Sequence, residues 1–308
     1  MTVRPEVLPE DLEIVDAHHH LWDLGRNYYP WLTDHPEPNF LLGDYAPLKR
    51  NYLPEDYRRD AAGLKVMATV HVEAEHDRNR QVTETEWLHE VAPRSGVPNA
   101  VVAHAWFHTD DCEEILARQK RFPLVRGIRS KPVTARSAGE TPPTGPGSMQ
   151  DPKWRRGLAA LEKYDLSWDL RVPFWHLREA AEVCARSPGV RVVLNHAGLP
   201  WDRSDAGLAH WRAGMQALAA CPNDHCKVSE LGLRDAPWTI DGNRRVVREA
   251  IEVFGIDRCM FASNFPVAGL KIGYRAQIAA LLEILADLSR AELDKLFRDN
   301  ARRFYRIA

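Results

Sequence analysis

The sequence of 308 residues has no long apolar run and no excess of charge of one sign. No stretch approaches the ~18 consecutive apolar residues of a membrane span, and no basic region followed by an apolar run opens the chain. Lys and Arg number 41 against 43 Asp and Glu, a net charge of −2. We therefore expect no secretory signal, no membrane partner and no nucleic-acid partner.

Cysteine is scarce, and the spacing of the cysteines contains no metal-binding or redox motif. The five cysteines are odd in number and include no Cys-x-x-Cys pair, which indicates reduced thiols and a cytoplasmic location. Apolar residues make up 44% of the chain, a share that excludes a disordered protein. The composition is that of an ordinary cytoplasmic enzyme.

Eight short β-rich apolar runs alternate with helical segments, which predicts βα units. The predicted strands are Ile14–His20, Val66–Glu73, Ala100–Trp106, Leu124–Ser130, Leu166–Val172, Arg191–His196, Cys226–Leu231 and Cys259–Asn264. The predicted helices between them are Arg78–Ala92, Asp111–Phe122, Trp154–Lys163, His176–Ser187, Leu208–Ala220, Gly242–Phe254 and Lys271–Asp287, and a last helix follows a capping box of Ser289 and Glu292. The count predicts one α/β domain over residues 1–308, a (β/α)8 TIM barrel with its site at the carboxyl ends of the strands.

Two predicted loops are long. Leu21–Asp60, after the first strand, carries enough aromatic residues to pack as an ordered cap over the barrel mouth. Lys131–Pro152, after the fourth strand, is rich in Gly, Pro, Ser and Thr, which predicts a flexible lid.

Three consecutive histidines end the first strand. Because side chains alternate along a strand, His18 and His20 share the inner face while His19 points outward. Two adjacent imidazoles suit a metal ion, or a neutral pair that donates hydrogen bonds to a carbonyl oxygen.

Polar residues also end most of the other strands. Alternation places His71 and Glu73 on one face, and Asp169 with Arg171 is most simply an internal ion pair. An arginine at a barrel mouth can hold a substrate carboxylate or form a structural salt bridge. The remaining candidates are Arg126, Arg129, His196, Glu230 and Asn264. Such a cluster is more than packing alone would select, and it indicates an active site.

The chain resembles the amidohydrolase-2 family of the amidohydrolase superfamily, the branch with sugar-acid lactonases and pyrone-dicarboxylate lactonase. The resemblance extends almost from end to end. The matching motifs are DAHHHLWD (16–23), YPWL (29–32), VHVEA (70–74), RGIR (126–129), NHAGLP (195–200), KVSELG (227–232), FASNFP (261–266) and DNARRFY (299–305). It implies a distorted TIM barrel that hydrolyses a lactone ring, with variable dependence on zinc.

The resemblance also implies roles for individual residues. His18 and His20 match the pair that binds metal or the substrate carbonyl, and His196 matches the histidine of the sixth strand. Arg126 or Arg129 matches the arginine that holds a substrate carboxylate. The chain departs from the family at Asn264, where such lactonases usually carry an aspartate that activates water, and at Glu230, where a glycine is common.

We therefore expect a hydrolase that opens a small carboxylated lactone. His18, His20 and His196 would hold zinc or polarise the carbonyl directly, with metal-independent catalysis left open. Glu230, or failing it Glu73, would deprotonate water. Asn264 would orient the water or Glu230, and the substrate pocket would be completed by His71, Trp22 and Trp31.

Two alternatives remain open from the sequence: a lactone isomerase or decarboxylase on the same scaffold, and a degenerate barrel that only binds a ligand. The sequence leaves the identity of the lactone and a homo-oligomeric state undecided.

Overall fold

The computed structural model describes residues 8–9 and 11–308. The first seven residues, where the expectation about a secretory signal begins, lie outside the described residues. In the part of the chain that is described, no helix is long and apolar enough to cross a membrane.

Eight parallel strands form one sheet in the sequential order β1 to β8, which confirms the predicted barrel. The strands are β1 Glu13–His19, β2 Lys65–Val72, β3 Ala100–Ala103, β4 Val125–Ile128, β5 Ser167–Leu170, β6 Val192–Leu194, β7 Asp224–Val228 and β8 Cys259–Phe261. Their inner faces are filled by buried side chains, so the barrel is a packed core.

All eight predicted strands extend one to three residues too far at their carboxyl ends, and in the last three the backbone shows why. His196, Glu230 and Asn264 were placed within strands, but their φ angles of 59°, 43° and 55° lie in the left-handed region. A strand cannot continue through such a residue. The chain therefore leaves the sheet before each of these residues.

Helices surround the sheet near the predicted positions, with ends that differ by up to five residues. They are α1 Pro54–Asp60, α2 Thr83–Ser95, α3 Cys112–Lys120, α4 Pro152–Lys163, α5 Leu177–Ala185, α6 Asp205–Ala219, α7 Ile240–Phe254, α8 Tyr274–Ile284, α9 Arg290–Asp294 and α10 Asn300–Tyr305. The capping box is confirmed, because the Ser289 amide donates to Glu292 Oε2 at 2.8 Å and the Ser289 hydroxyl accepts from the Glu292 amide.

The barrel closes through backbone contacts between the ends of β1 and β8. The amide of His20 donates to the carbonyl of Phe265 at 2.8 Å, and the amide of Asn264 donates to the carbonyl of His18 at 2.7 Å. This seam holds the histidines of the first strand beside Asn264.

A network of polar side chains fills the barrel below the mouth. Asp169 on β5 accepts from Lys227 on β7, from the Asn195 side chain at 3.1 Å and from the Tyr305 hydroxyl at 3.0 Å. Tyr305 is the last residue of α10, so this helix closes the lower end of the barrel. We call these four residues the lower network.

The loop after β1 is ordered, as predicted. It contains α1 and two short helical turns, and it buries Trp22, Tyr29 and Tyr45. The loop after β4 is anchored at its base, where the Val133 amide donates to the Gly147 carbonyl at 2.9 Å. Its middle is exposed, and its mobility stays a prediction.

Candidate active site

A cavity of about 560 Å³ opens at the carboxyl ends of the strands. This volume lies within the usual range for small-molecule sites. Five of the sequence-predicted site residues line it: His20, Trp31, Arg129, His196 and Asn264.

Three histidines cluster beneath this cavity. The ring centroid of His18 lies 5.0 Å from that of His20 and 4.7 Å from that of His196. Burial, reinforced by nearby cations, lowers the pKa of each ring well below its ordinary value. All three imidazoles are therefore neutral near pH 7.

Hydrogen bonds assign a tautomer to one of these rings. His20 Nδ1 lies 2.7 Å from the carbonyl oxygen of Val72, which can only accept, so Nδ1 carries the proton and Nε2 presents a lone pair. His196 Nδ1 lies 3.0 Å from the Ser229 hydroxyl. Both ring nitrogens of His18 are buried without a hydrogen-bond partner among the described residues.

His19 and His71, the other two histidines considered from the sequence, lie outside the cavity. His19 packs against Tyr57 at 4.5 Å between ring centroids, on the face opposite to His18. His71 accepts from the amide of Leu21 at 3.1 Å, and its Nε2 lies 3.6 Å from Glu84. The structure therefore does not bring His71 to the cavity wall.

Asn264 lies between His20 and Glu230. Its amide nitrogen donates to Glu230 Oε2. Its oxygen lies 3.2 Å from His20 Nε2, a contact that is not a hydrogen bond while Nδ1 carries the only ring proton. Glu230 Oε1 is buried and has no hydrogen-bond partner among the described residues. Burial raises the pKa of Glu230 to about 7, against the opposing effect of the Asn264 hydrogen bond. Glu230 thus lies directly behind Asn264, with a carboxyl group able to exchange a proton near neutrality.

Glu73 is held in a different way. It accepts from Arg129 Nε at 2.6 Å, from Arg78 at 2.8 Å and from the amide of Glu75 at 3.0 Å. Burial alone would raise the pKa of Glu73, but the charges of Arg129 and Arg78 hold it well below its usual range. Glu73 is therefore the counter-ion of two arginines, whereas Glu230 forms no ion pair among the described residues.

The two arginines of the RGIR motif lie at different ends of β4. Arg129 follows the strand and lines the cavity. Arg126 bonds the backbone carbonyls of Pro123 and Val125, before or at the start of the strand, so the structure does not bring it to the mouth. The reason is strand geometry, since three residues span about 10 Å.

The two tryptophans also differ. Trp31 lines the cavity and donates to the carbonyl of Ala74 at 2.9 Å. Trp22 is fully buried, donates to the carbonyl of Arg50 at 2.6 Å and packs edge-on against Trp31 at 5.7 Å. Trp22 supports the cavity wall without forming it.

The expected ion pair of Asp169 with Arg171 is wrong. Asp169 belongs to the lower network, whereas Arg171 lies one layer higher and lines the cavity. Sequence reasoning missed it as a site residue. Its position could have identified it, because Arg171 directly follows β5 at the carboxyl end of the strand, where the active sites of such barrels lie.

Backbone strain marks the same end of the barrel. Among the described residues that are not glycine, His196, Glu230, Asn264 and Glu75 all have positive φ. Each such residue costs about 1–3 kcal/mol and tends to occur at functional sites. A positive φ suits glycine, which explains why glycine is common at the position that Glu230 occupies in this chain.

The sequence profile of the amidohydrolase family matches residues 15–307. The chain belongs to the amidohydrolase family. An uncharacterized protein of Sinorhizobium fredii is 38% identical to this amidohydrolase over 300 residues, covering 96% of this chain and 99% of its own. An L-fucono-1,5-lactonase of Burkholderia multivorans is 29% identical over 306 residues, with 95% and 96% covered.

A solved structure, an amidohydrolase of Burkholderia multivorans with bound zinc, is similar with a TM-score of 0.76 and 29% identity. The match covers 96% of this chain and 99% of that one. Together with the lactonases, this similarity supports a lactonase-type hydrolase without identifying its substrate.

The histidines of this amidohydrolase have the chemistry of zinc ligands. They are neutral, His20 presents a lone pair, and His18 has two buried nitrogens without partners. Within residues 8–9 and 11–308, however, no three His, Cys, Asp or Glu side chains are already arranged around a metal position. The donor set therefore fits zinc by its chemistry and is not preformed.

Proposed function

We propose that this amidohydrolase hydrolyses the ester bond of a small carboxylated lactone. The observation that carries the proposal is the close grouping of His20, Asn264 and Glu230, in which a neutral imidazole and a carboxyl group with a near-neutral pKa lie on either side of one cavity-lining amide. Ester hydrolysis needs a polarised carbonyl and a group that takes a proton from water.

His196 is placed to polarise the carbonyl oxygen. It lines the cavity, and when its Nδ1 accepts from Ser229 its Nε2–H is free to donate to a substrate oxygen. Zinc would supply Lewis-acid polarisation of the same carbonyl when bound; His18, His20 and His196 would hold it, with His196 in the other tautomer, in which Nδ1 donates to Ser229 and Nε2 presents a lone pair.

Glu230 is the proposed general base. Asn264 offers only a weak amide oxygen, and Glu73 is held as an anion by two arginines. In the described part of the chain Glu230 forms no ion pair, the charges of Arg171 and Lys271 acting on it only at longer range, and its Oε1 has no hydrogen-bond partner. Asn264 lines the cavity and lies between it and Glu230. The attacking water would therefore bind beside the Asn264 side chain, which would orient it towards Glu230.

The preference for an acidic substrate is supported by charge. The side chains that line the cavity include four cations and two carboxylates: Arg78, Arg129, Lys131 and Arg171 against Glu37 and Glu75. Trp31 and Trp201 supply flat apolar wall on which a small ring can lie.

A panel of acidic and neutral lactones tests the proposal, with proton release and product NMR as the two measurements. We expect stoichiometric release of acid from an acidic lactone, and none with E230Q. A rearranged ring without acid would instead indicate an isomerase, and loss of carbon dioxide a decarboxylase. Ligand binding without any product would identify a barrel that only binds.

A further inference from the structure

Arg171 lies at a position where an unpaired cation is costly. It follows β5, is only partly exposed, and faces the cavity between strands that carry other charges. Burial and the charge of Arg129 lower its pKa to about 10. Among the described residues, no carboxylate lies within ion-pair distance of Arg171, and its guanidinium donates no hydrogen bond to any of them.

Three neighbouring carboxylates are already occupied. Asp169, two residues earlier, accepts from Lys227, Asn195 and Tyr305. Glu73 accepts from Arg129, Arg78 and a backbone amide, and Glu75 is bridged by Arg78 and Lys131. These three carboxylates therefore already hold other donors. Glu230 attracts Arg171 only through its charge at longer range and forms no ion pair with it among the described residues.

The uncompensated charge of Arg171 also acts on a second cation, Lys131. Burial, followed by the charge of Arg171, lowers the pKa of Lys131 to about 7. Lys131 also lines the cavity. An anion bound between the two side chains would relieve their repulsion and restore charge balance at the wall.

We propose that Arg171 binds the carboxylate of the substrate and is the residue that selects acidic over neutral lactones. The inference rests on the proposed function and moves the carboxylate site from the RGIR motif to β5. Arg129 lines the same cavity, but its Nε and one terminal nitrogen already hold Glu73. Arg171 alone offers a complete guanidinium fork for bidentate binding.

The test measures binding of simple carboxylates by calorimetry, so that it does not depend on turnover. The probes are succinate, glutarate and citrate, each compared with its uncharged amide. The variants are R171M and R171K, with R248M as the control because Arg248 pairs with Asp287 on the outer surface.

We expect wild type and R248M to bind at least one carboxylate and to bind the amides more weakly. R171M should lose about 10–100-fold in affinity for that carboxylate, the effect of a charge-assisted bidentate contact. R171K, which keeps the charge and loses the fork, should fall between the two. Thermal melting establishes that each variant is folded.

Equal affinity of R171M and wild type for the carboxylates would overturn the assignment, as would a wild type that binds none of them. The two proposals can fail separately. A chain that releases no acid from any lactone, yet loses carboxylate binding with R171M, refutes lactone hydrolysis and leaves the role of Arg171 intact.

Discussion

Two groups of buried polar side chains lie one above the other inside the barrel, and they are satisfied to very different degrees. In the lower network, Asp169 receives three donors and Lys227 has its carboxylate partner, and only Asn195 Oδ1 lacks a hydrogen bond among the described residues. At the mouth, His18 has two nitrogens without partners, Glu230 has one such oxygen, and Arg171 has no anion, within the described residues.

The difference suggests that one group of side chains supports the fold and the other serves activity. A buried polar group without a partner costs about 1–3 kcal/mol, so the cluster of such groups at the mouth points to a ligand that completes them. The positive φ of His196, Glu230 and Asn264 adds a further cost at the same place. The lower network should therefore control stability, and the mouth should control activity.

The largest effect is expected for E230Q. Loss of a general base typically reduces the rate by about 10²–10⁴, and glutamine preserves the shape and the contact with Asn264. Turnover should collapse while substrate binding changes little, as measured by proton release and calorimetry. N264A should be clearly less damaging, and an active E230Q beside an inactive N264A would contradict the assignment of the base.

The K227M substitution in the lower network should lower the free energy of unfolding. Removal of Lys227 leaves Asp169 charged and buried, which costs about 3–5 kcal/mol. We expect a correspondingly lower free energy of unfolding in a urea titration. A K227M variant as stable as wild type would show that the network is not what supports the barrel.

Metal binding should distinguish the two faces of the histidine run. If His18 is a ligand, H18A should lower zinc content in elemental analysis and weaken zinc binding by at least about 10–100-fold, the range seen even for second-shell changes. H19Q is the matched control, because His19 packs on Tyr57 away from the cavity. Similar zinc loss in both variants would reflect general damage.

The pH dependence follows from Glu230. A base must be deprotonated to act, and burial raises the pKa of Glu230 to about 7. Activity should therefore rise with pH through about 7 and level off above it, falling about tenfold per pH unit on the acid side. A profile already flat at pH 5 would indicate a base with an ordinary carboxyl pKa.

The smallest effect is expected for the stability of R171M. The substitution removes an uncompensated cation, so the free energy of unfolding should stay within about 1 kcal/mol of wild type or increase. Comparison with K227M in the same urea titration makes the contrast direct. A large loss in R171M would mean that the cation has a structural partner.

The barrel was predictable from the sequence because periodicity is a property of each segment. The ends of the strands were harder to predict, because the change from extended to left-handed backbone at Glu230 and Asn264 depends on contacts across the barrel. The pairing of Arg171 with Asp169 was wrong for the same reason. Neighbours in sequence suggested an ion pair, whereas Lys227, 58 residues away, supplies the cation in the folded protein.

The seam between β1 and β8 has a consequence for how the protein acquires activity. The two backbone hydrogen bonds that join His18 and His20 to Asn264 and Phe265 link residues about 245 positions apart in the chain. The reacting groups are thus assembled only when the first strand meets the last. A chain in which this seam is open would therefore lack the arrangement of His18, His20 and Asn264 on which the proposed turnover depends, even if the rest of the barrel were formed.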